Sequence, residues 1–228
     1  MRMLAQSVLD PGTRATRSAA VALGALLAGG CASGAFESDQ PHQQLYVLAG
    51  VPARAAETIL PIDLSVAQPQ VRPGLDTDRI AVLYPDRRLD YFAASRWGGP
   101  ADAVVQSLLI ESLRNGAGLR SVQGDVSTFA PEYVLQTEVT DFQAEYADEG
   151  TTPQVHVQFI VTVGRLADRR PLASFVADAR APAESNNLRA VVAAFEKASQ
   201  QAATRVVDQT RAALGQAHAA NAAGDAAR

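Results

Sequence analysis

Apolar and polar positions along the chain fall into short runs of two different periods. Between Leu75 and Asn115, Ile80, Val82 and Tyr84 alternate with smaller or polar neighbours, the period of a half-buried strand. Pro85 to Arg88 interrupts this run, and Leu89, Tyr91 and Ala93 resume the alternation up to Trp97. Gly98, Gly99 and Pro100 stop the strand, and Pro100 with Asp102 opens a helix. Ala101, Val104, Val105, Leu108, Leu109 and Leu113 then recur at three- and four-residue steps and form one apolar stripe. Asn115-Gly116 tolerates the left-handed cap that closes such a helix. A strand-strand-helix unit with the chain's only Trp at its corner is the expected folding centre.

Around that unit, Gln44 to Leu48 reads as a short strand apolar on both faces, and such a strand is expected to be central or covered. Residues 59–71 form a second extended segment broken by Pro61 and Pro69, the mark of an edge strand or a bent one. Gly118 to Val122 is a further short strand. Tyr133 to Tyr146 is long, and its apolar residues change parity, from Tyr133, Leu135 and Val139 to Phe142, Ala144 and Tyr146. A strand cannot swap faces without a bulge, which is expected near Thr140-Asp141. Val155, Val157, Phe159, Val161 and Val163 alternate without a fault, and after the turn Ala167-Asp168-Arg169-Arg170 a last strand runs from Leu172 to Arg180. Hairpin-length loops make these three an antiparallel meander. Ser185-Asn186-Asn187 then caps a helix carrying Leu188, Val191, Val192, Phe195, Ala198, Ala202 and Val206, expected to reach Leu214 and leave 215–228 as a disordered tail. The order predicts an α+β fold: a mainly antiparallel sheet with two helices on one face, the second long and C-terminal.

The N-terminus obeys a different pattern. Arg14 and Arg17 precede an unbroken apolar run over 19–28, followed by Gly29-Gly30-Cys31. A basic flank, an apolar region and small residues at the cut are a secretory signal layout. With a cysteine directly after the small residues, the segment resembles the lipobox of bacterial lipoproteins, with Ala28 where leucine is usual. That resemblance implies residues 1–30 as signal peptide and diacylglycerol on Cys31. Residues 31–43 are then a lipidated start and flexible tether to a domain over 44–214. Pro11-Gly12 in the long n-region is compatible with a start codon later than Met1. Ala32, in place of the Asp that retains lipoproteins in the inner membrane, points to the outer membrane.

Composition narrows the function. The 228 residues suffice for one domain with flanking segments, and a hydrophobic share of 47% supports a real core. A net charge of −4 lacks the basic footprint of a nucleic-acid binder. Cys31 is the only cysteine, so no intramolecular disulfide forms, and no later stretch reaches the ~20 apolar residues that span a bilayer. His42, His156 and His218 are scattered without metal-ligand spacing, and no nucleophile elbow, Walker loop or dinucleotide fingerprint follows a strand. His156 reads as an exposed strand histidine. Glu145, Asp148 and Glu149 read as a solvated hairpin turn, and Asp86-Arg87-Arg88 and Asp168-Arg169-Arg170 as ordinary turns. No catalytic residue, metal ligand or cofactor is expected. Arg96-Trp97 is the pair most suggestive of recognition, with Trp97 read first as a core plug.

Four features together resemble the ABC-type transport auxiliary lipoproteins, the PqiC/YmbA-like family. These are the lipobox cysteine with its polar tether, the strand Tyr46-Val47-Leu48, the segment from Leu75 to Val82 and the stretch Tyr91 to Pro100. The resemblance spans about 44–210; two glycines between Trp97 and Pro100 depart from it. It implies a non-enzymatic partner subunit of an MCE-type lipid transport system, anchored by lipid at the outer membrane and facing the periplasm. Its partner would be the MCE-domain protein, with no nucleic acid involved and a homo-oligomer left open. Asp78, Arg79, Tyr91, Arg96 and Trp97 become the candidate partner contacts. The alternative is a structural or assembly lipoprotein of lipopolysaccharide or secretion machinery.

Overall fold

Strands with the most regular alternation are the longest ones in the fold. The computed structural model describes residues 43–55, 58–125, 129–148 and 150–226, which hold nine strands and two helices. The spine is β7 (Tyr133–Glu145), paired along one edge with β8 (Gln154–Arg165), which pairs in turn with β9 (Arg170–Pro182). Both pairings are antiparallel, as the hairpin-length loops predict. The other edge of β7 is taken in succession by three short strands parallel to it: β2 (Leu60–Val66), β3 (Gln70–Val71) and β4 (Arg79–Leu83). β2 continues to a parallel partner, β6 (Leu119–Gly124). β4 pairs antiparallel with β5 (Leu89–Trp97), whose far edge carries β1 (Gln44–Tyr46) in parallel.

The sheet is therefore mixed, and the expectation of a mainly antiparallel one needs correcting. Short hairpin loops force an antiparallel return, but β2, β3 and β4 reach β7 through longer connections that leave direction free, and alternation carries no direction. One strand position differs from expectation, and for another one of two expected alternatives holds. The segment at Gln44 is not central: β1 lies at the outer edge of the sheet with Leu45 69% exposed. Conversely, β2 is interior, held between β7 and β6. It accommodates Pro61 because its register on β6 shifts between Leu60 and Asp63 and its pairing with β7 starts only at Leu64, so no partner needs the missing N–H.

The parity change in β7 is a bulge. Pairing with β8 shifts between Val139 and Asp141, leaving Thr140 as the extra residue, and its hydroxyl donates to Gln158 Oε1 at 2.9 Å. Val139, Phe142 and Ala144 thereby all face the core, while Asp141, Gln143 and Glu145 share the opposite face with His156, Gln158, Asp178 and Arg180. The hairpins β4–β5 and β8–β9 repeat one turn. In each, Asp-Arg-Arg places the first arginine in the left-handed region, Arg87 at φ 68 and Arg169 at φ 56. In each, the Asp carboxylate accepts from the second arginine's backbone N–H, at 3.1 and 3.3 Å.

Helices α1 (Ala101–Gly116) and α2 (Leu188–Ala226) cover the apolar face. The end of α1 comes later than Asn115-Gly116 suggests: Ala117 N–H still donates to Leu113 O, and Gly118, at φ 58, takes the left-handed turn. Asn187 caps α2 by accepting from Ala190 N–H at 3.0 Å, and the helix continues past Leu214 to Ala226. Its buried side chains include Ala194, Ala198 and Ala202, and those of β9 are Ala177, Ala179 and Ala181, so helix and sheet approach through small groups. Among the described residues no helix is long and apolar enough to cross a membrane.

Trp97 sits where strand, corner and both helices meet. It is 1% exposed, packs edge-on to Phe195 with centroids 5.1 Å apart, and lies 5.5 Å from Phe142. Its backbone N–H donates to Asp78 O at 2.7 Å, which ties β5 to the start of β4. Trp97→Ala is expected to cost about 3–5 kcal/mol by leaving a cavity among these rings, read as a lower urea midpoint at unchanged slope. A loss below about 1 kcal/mol would show that the corner does not depend on it.

Candidate functional site

Two polar surfaces stand out against this frame. The first contains the residues singled out in the sequence. Register sets Leu45, Arg96 and Arg79 in a row across β1, β5 and β4, with the side chains of paired residues on one face. Arg96 Nη1 donates to Asp78 Oδ2 at 2.9 Å, an ion pair that remains partly solvent-exposed. The Arg79 guanidinium lies 4.0 Å from the centroid of the Tyr91 ring, within cation–π range. Tyr91 Oη donates to Gly74 O at 2.8 Å, which fixes the ring from its far end. Asp78, Arg79, Tyr91 and Arg96 thus form one connected patch at the sheet edge. Trp97 lies beneath it in the core, and any part it plays in recognition passes through the backbone it anchors. Leu45 joins the patch; both faces of its segment being apolar had suggested cover. Cys31 lies outside the described residues, as does the segment 1–30 expected to be a signal peptide.

The second surface centres on His156, which is not an exposed strand histidine: it is 5% exposed. Cross-strand pairing puts Gln143, His156 and Arg180 in one row and Asp141, Gln158 and Asp178 in the next. His156 Nε2 lies 2.6 Å from Asp178 Oδ2, and Nδ1 lies 3.1 Å from Glu145 Oε1. Arg180 Nη1 donates to Glu145 Oε2 at 2.6 Å while its Nη2 approaches His156 Nδ1 at 2.9 Å. Gln143 Nε2 donates to both Asp141 Oδ1 and Glu145 Oε1 at 2.9 Å. Glu145 is therefore a member of this cluster rather than part of a solvated turn. A protonated ring donates to both carboxylates; a neutral ring keeps its proton on Nε2 for Asp178 and accepts from Arg180 at Nδ1.

Burial, the largest influence on His156, works to lower its pKa. The hydrogen bonds to Glu145 and Asp178 and the charge of Asp141 outweigh it, so the pKa is raised, with Arg180 opposing. Hydrogen bonding from His156, reinforced by Arg180 and Gln143 against the cost of burial, holds Glu145 down to about 2. Burial raises Asp178, but the bonds from His156 and Gln158 bring it below the usual carboxylate range.

Asp141, Glu145 and His156 each present a ligand atom, all within 4.8 Å of one another. They fit a metal ion poorly. Arg180 Nη2 stands 2.9 Å from the Nδ1 lone pair, so a second cation would have to displace a guanidinium from its carboxylate. Both ring nitrogens of His156 are engaged, by Glu145, Asp178 and Arg180.

Sequence reasoning missed this cluster because each member looks ordinary alone. The available signal was register: once the two hairpin turns of the meander are located, the constant pairing of β7, β8 and β9 aligns Gln143, His156 and Arg180.

A family model described as the ABC-type transport auxiliary lipoprotein component matches residues 46–207. Among solved structures, the crystal structure of a DUF330 protein from Xanthomonas campestris superposes with a TM-score of 0.68 at 23% identity, covering 76% of this chain and 98% of that one. The crystal structure of an uncharacterized protein gives 0.57 at 13% identity, covering 74% and 99%. Both likenesses are to the fold. No curated protein matches the chain.

The signs of the two shifts define a pH profile. His156, raised above its usual 6.5, contributes stability that is complete below that value and lost as pH rises through the folded-state pKa. Glu145, lowered from 4.5 to about 2, contributes stability present above 4.5 and lost as pH falls toward 2. Denaturation midpoints measured across pH should therefore be highest between these limits and decline on the alkaline side as His156 loses its proton. His156→Gln is expected to flatten that alkaline decline; an unchanged slope would show that another group produces it.

Proposed function

This chain belongs to the family of ABC-type transport auxiliary lipoprotein components, and on that premise we propose that it is the non-enzymatic docking subunit of an MCE-type ABC lipid transporter. In this reading Cys31 carries the lipid, residues 31–43 form the tether, and the domain stands in the periplasm on the outer membrane. The MCE-domain protein meets the patch of Asp78, Arg79, Tyr91 and Arg96. The observation that carries the reading is this patch itself. Arginine and tyrosine are the residue types that dominate interface energetics, and here they are pre-ordered by an ion pair, a ring contact and a hydrogen bond to Gly74 O. Exposed Leu45 lies beside them on β1, which among the described residues is the outer edge of the sheet, where a partner finds both apolar surface and backbone able to pair.

Charge reversal separates docking from folding. Arg96→Glu removes one partly exposed ion pair, which is worth about 0.2–1 kcal/mol, so Tm should fall by only a few degrees. Capture of the MCE protein from detergent-solubilised membranes should weaken about tenfold or more. Unchanged capture would remove the patch from the interface, and a large fall in Tm would make Arg96 structural. Cys31→Ser should abolish incorporation of labelled lipid and leave an unprocessed precursor; normal labelling would overturn the anchor.

A further inference from the structure

A pocket of about 460 Å³ opens on the face of the sheet away from the helices, with the His156 cluster as its floor. Its size falls in the range of small-molecule sites, about 300–1,000 Å³. We propose that it binds an anionic amphiphile, a phosphate or carboxylate group carried on a short apolar chain. The inference is independent of the docking role.

The sign of the charge follows from which valences are already taken. A cation entering the pocket would find its carboxylates engaged. Glu145 Oε1 accepts from Gln143 and, when the ring is protonated, from His156, Glu145 Oε2 accepts from Arg180, and Asp141 Oδ1 from Gln143. An anion would find guanidinium groups to spare. Arg87 lines the pocket and makes no ion pair or side-chain hydrogen bond among the described residues. Arg72 also lines it, and its one carboxylate contact is a long 3.7 Å approach to Asp141 that leaves its side chain 54% exposed. Guanidinium donors suit the planar or tetrahedral oxygens of carboxylate and phosphate. The apolar portion of the ligand has its own wall, made by Leu75, Leu83, Leu89 and the ring of Tyr84.

The backbone at Arg87 supplies a control for the reading. It occupies a left-handed backbone position, φ 68, where glycine is the unstrained choice. The other hairpin repeats the same turn with Arg169 at φ 56, away from this pocket. The pair provides an internal control, because Arg87→Gly and Arg169→Gly change backbone strain alike and only the first removes a pocket guanidinium.

The test is calorimetric titration of the full chain, with Cys31→Ser in every sample so that no acyl group competes. Octyl phosphate, below its micellar concentration, is expected to bind saturably at one site. Inorganic phosphate should bind more weakly and compete, and octyl glucoside should not bind. Arg87→Gly should weaken octyl phosphate about tenfold without lowering Tm, and Arg72→Gln should weaken it similarly. Arg169→Gly should leave affinity unchanged. The proposal is overturned if octyl phosphate fails to saturate, if octyl glucoside binds as well, or if Arg87→Gly and Arg169→Gly have equal effects on affinity. Inorganic phosphate binding as tightly as octyl phosphate would overturn the amphiphile in favour of a free anion.

Discussion

A single extra residue, Thr140, governs which side chains of β7 meet the helices and which meet the polar face. In an unbroken strand Val139 and Phe142 would point to opposite sides, because they are three residues apart. The bulge puts both into the core, where Phe142 lies 5.3 Å from Phe195 and 5.5 Å from Trp97. The same shift turns Asp141, Gln143 and Glu145 together onto the other face, in register with His156 and Arg180. Without it the aromatic centre would lose a ring to solvent and the carboxylates would point into the helices. The apolar core and the polar cluster are thus two consequences of one backbone irregularity.

The charge cluster is an unusual thing for the middle of a sheet to hold. Burying ionised groups costs several kcal/mol each unless partners replace the lost water. Here the partners are dense: Glu145 meets a guanidinium, an imidazole and an amide, and His156 sits between two carboxylates. Among the ionisable groups only His156 is fully buried; Glu145, Asp178 and Arg180 keep part of their hydration, which lowers that cost. Their position at the floor of a pocket, beneath arginines that have valences to spare, gives the cluster a local setting that a purely structural ion network would not need.

Much of this organisation was legible in the residues themselves. Faultless alternation marked β8, the parity change marked the bulge, and stripes at helical spacing marked α1 and α2. What stayed hidden depended on pairing over long sequence distances. Alternation reports that a segment is extended; it does not report its neighbour or direction. It thus implies a central or covered β1 where the strand is an edge, and it leaves β2 as either an edge or a bent strand where the interior, irregular one is found. Asp78, Arg79, Tyr91 and Arg96 stand out in the sequence through the family resemblance, and pairing of β4 with β5 brings them together. The His156 cluster draws on β7, β8 and β9, whose residues become neighbours only through register, and so its histidine looked exposed.

The two surfaces are joined by the segment from Arg72 to Leu75. Arg72 and Leu75 line the pocket, and Leu75 is buried against the core. Between them, Gly74 O accepts the hydrogen bond from Tyr91 Oη, and Tyr91 in turn supports the Arg79 guanidinium. Gly74 holds φ 89, a conformation open to glycine and strained for other residues, and a Cβ there would come within 2.9 Å of Leu89 Cδ2. Leu89 is itself a wall of the pocket. This short segment therefore touches both the ring that orders the patch and the arginine that faces the pocket. The two surfaces are thus contiguous, joined by one hydrogen bond and the van der Waals contacts around Gly74.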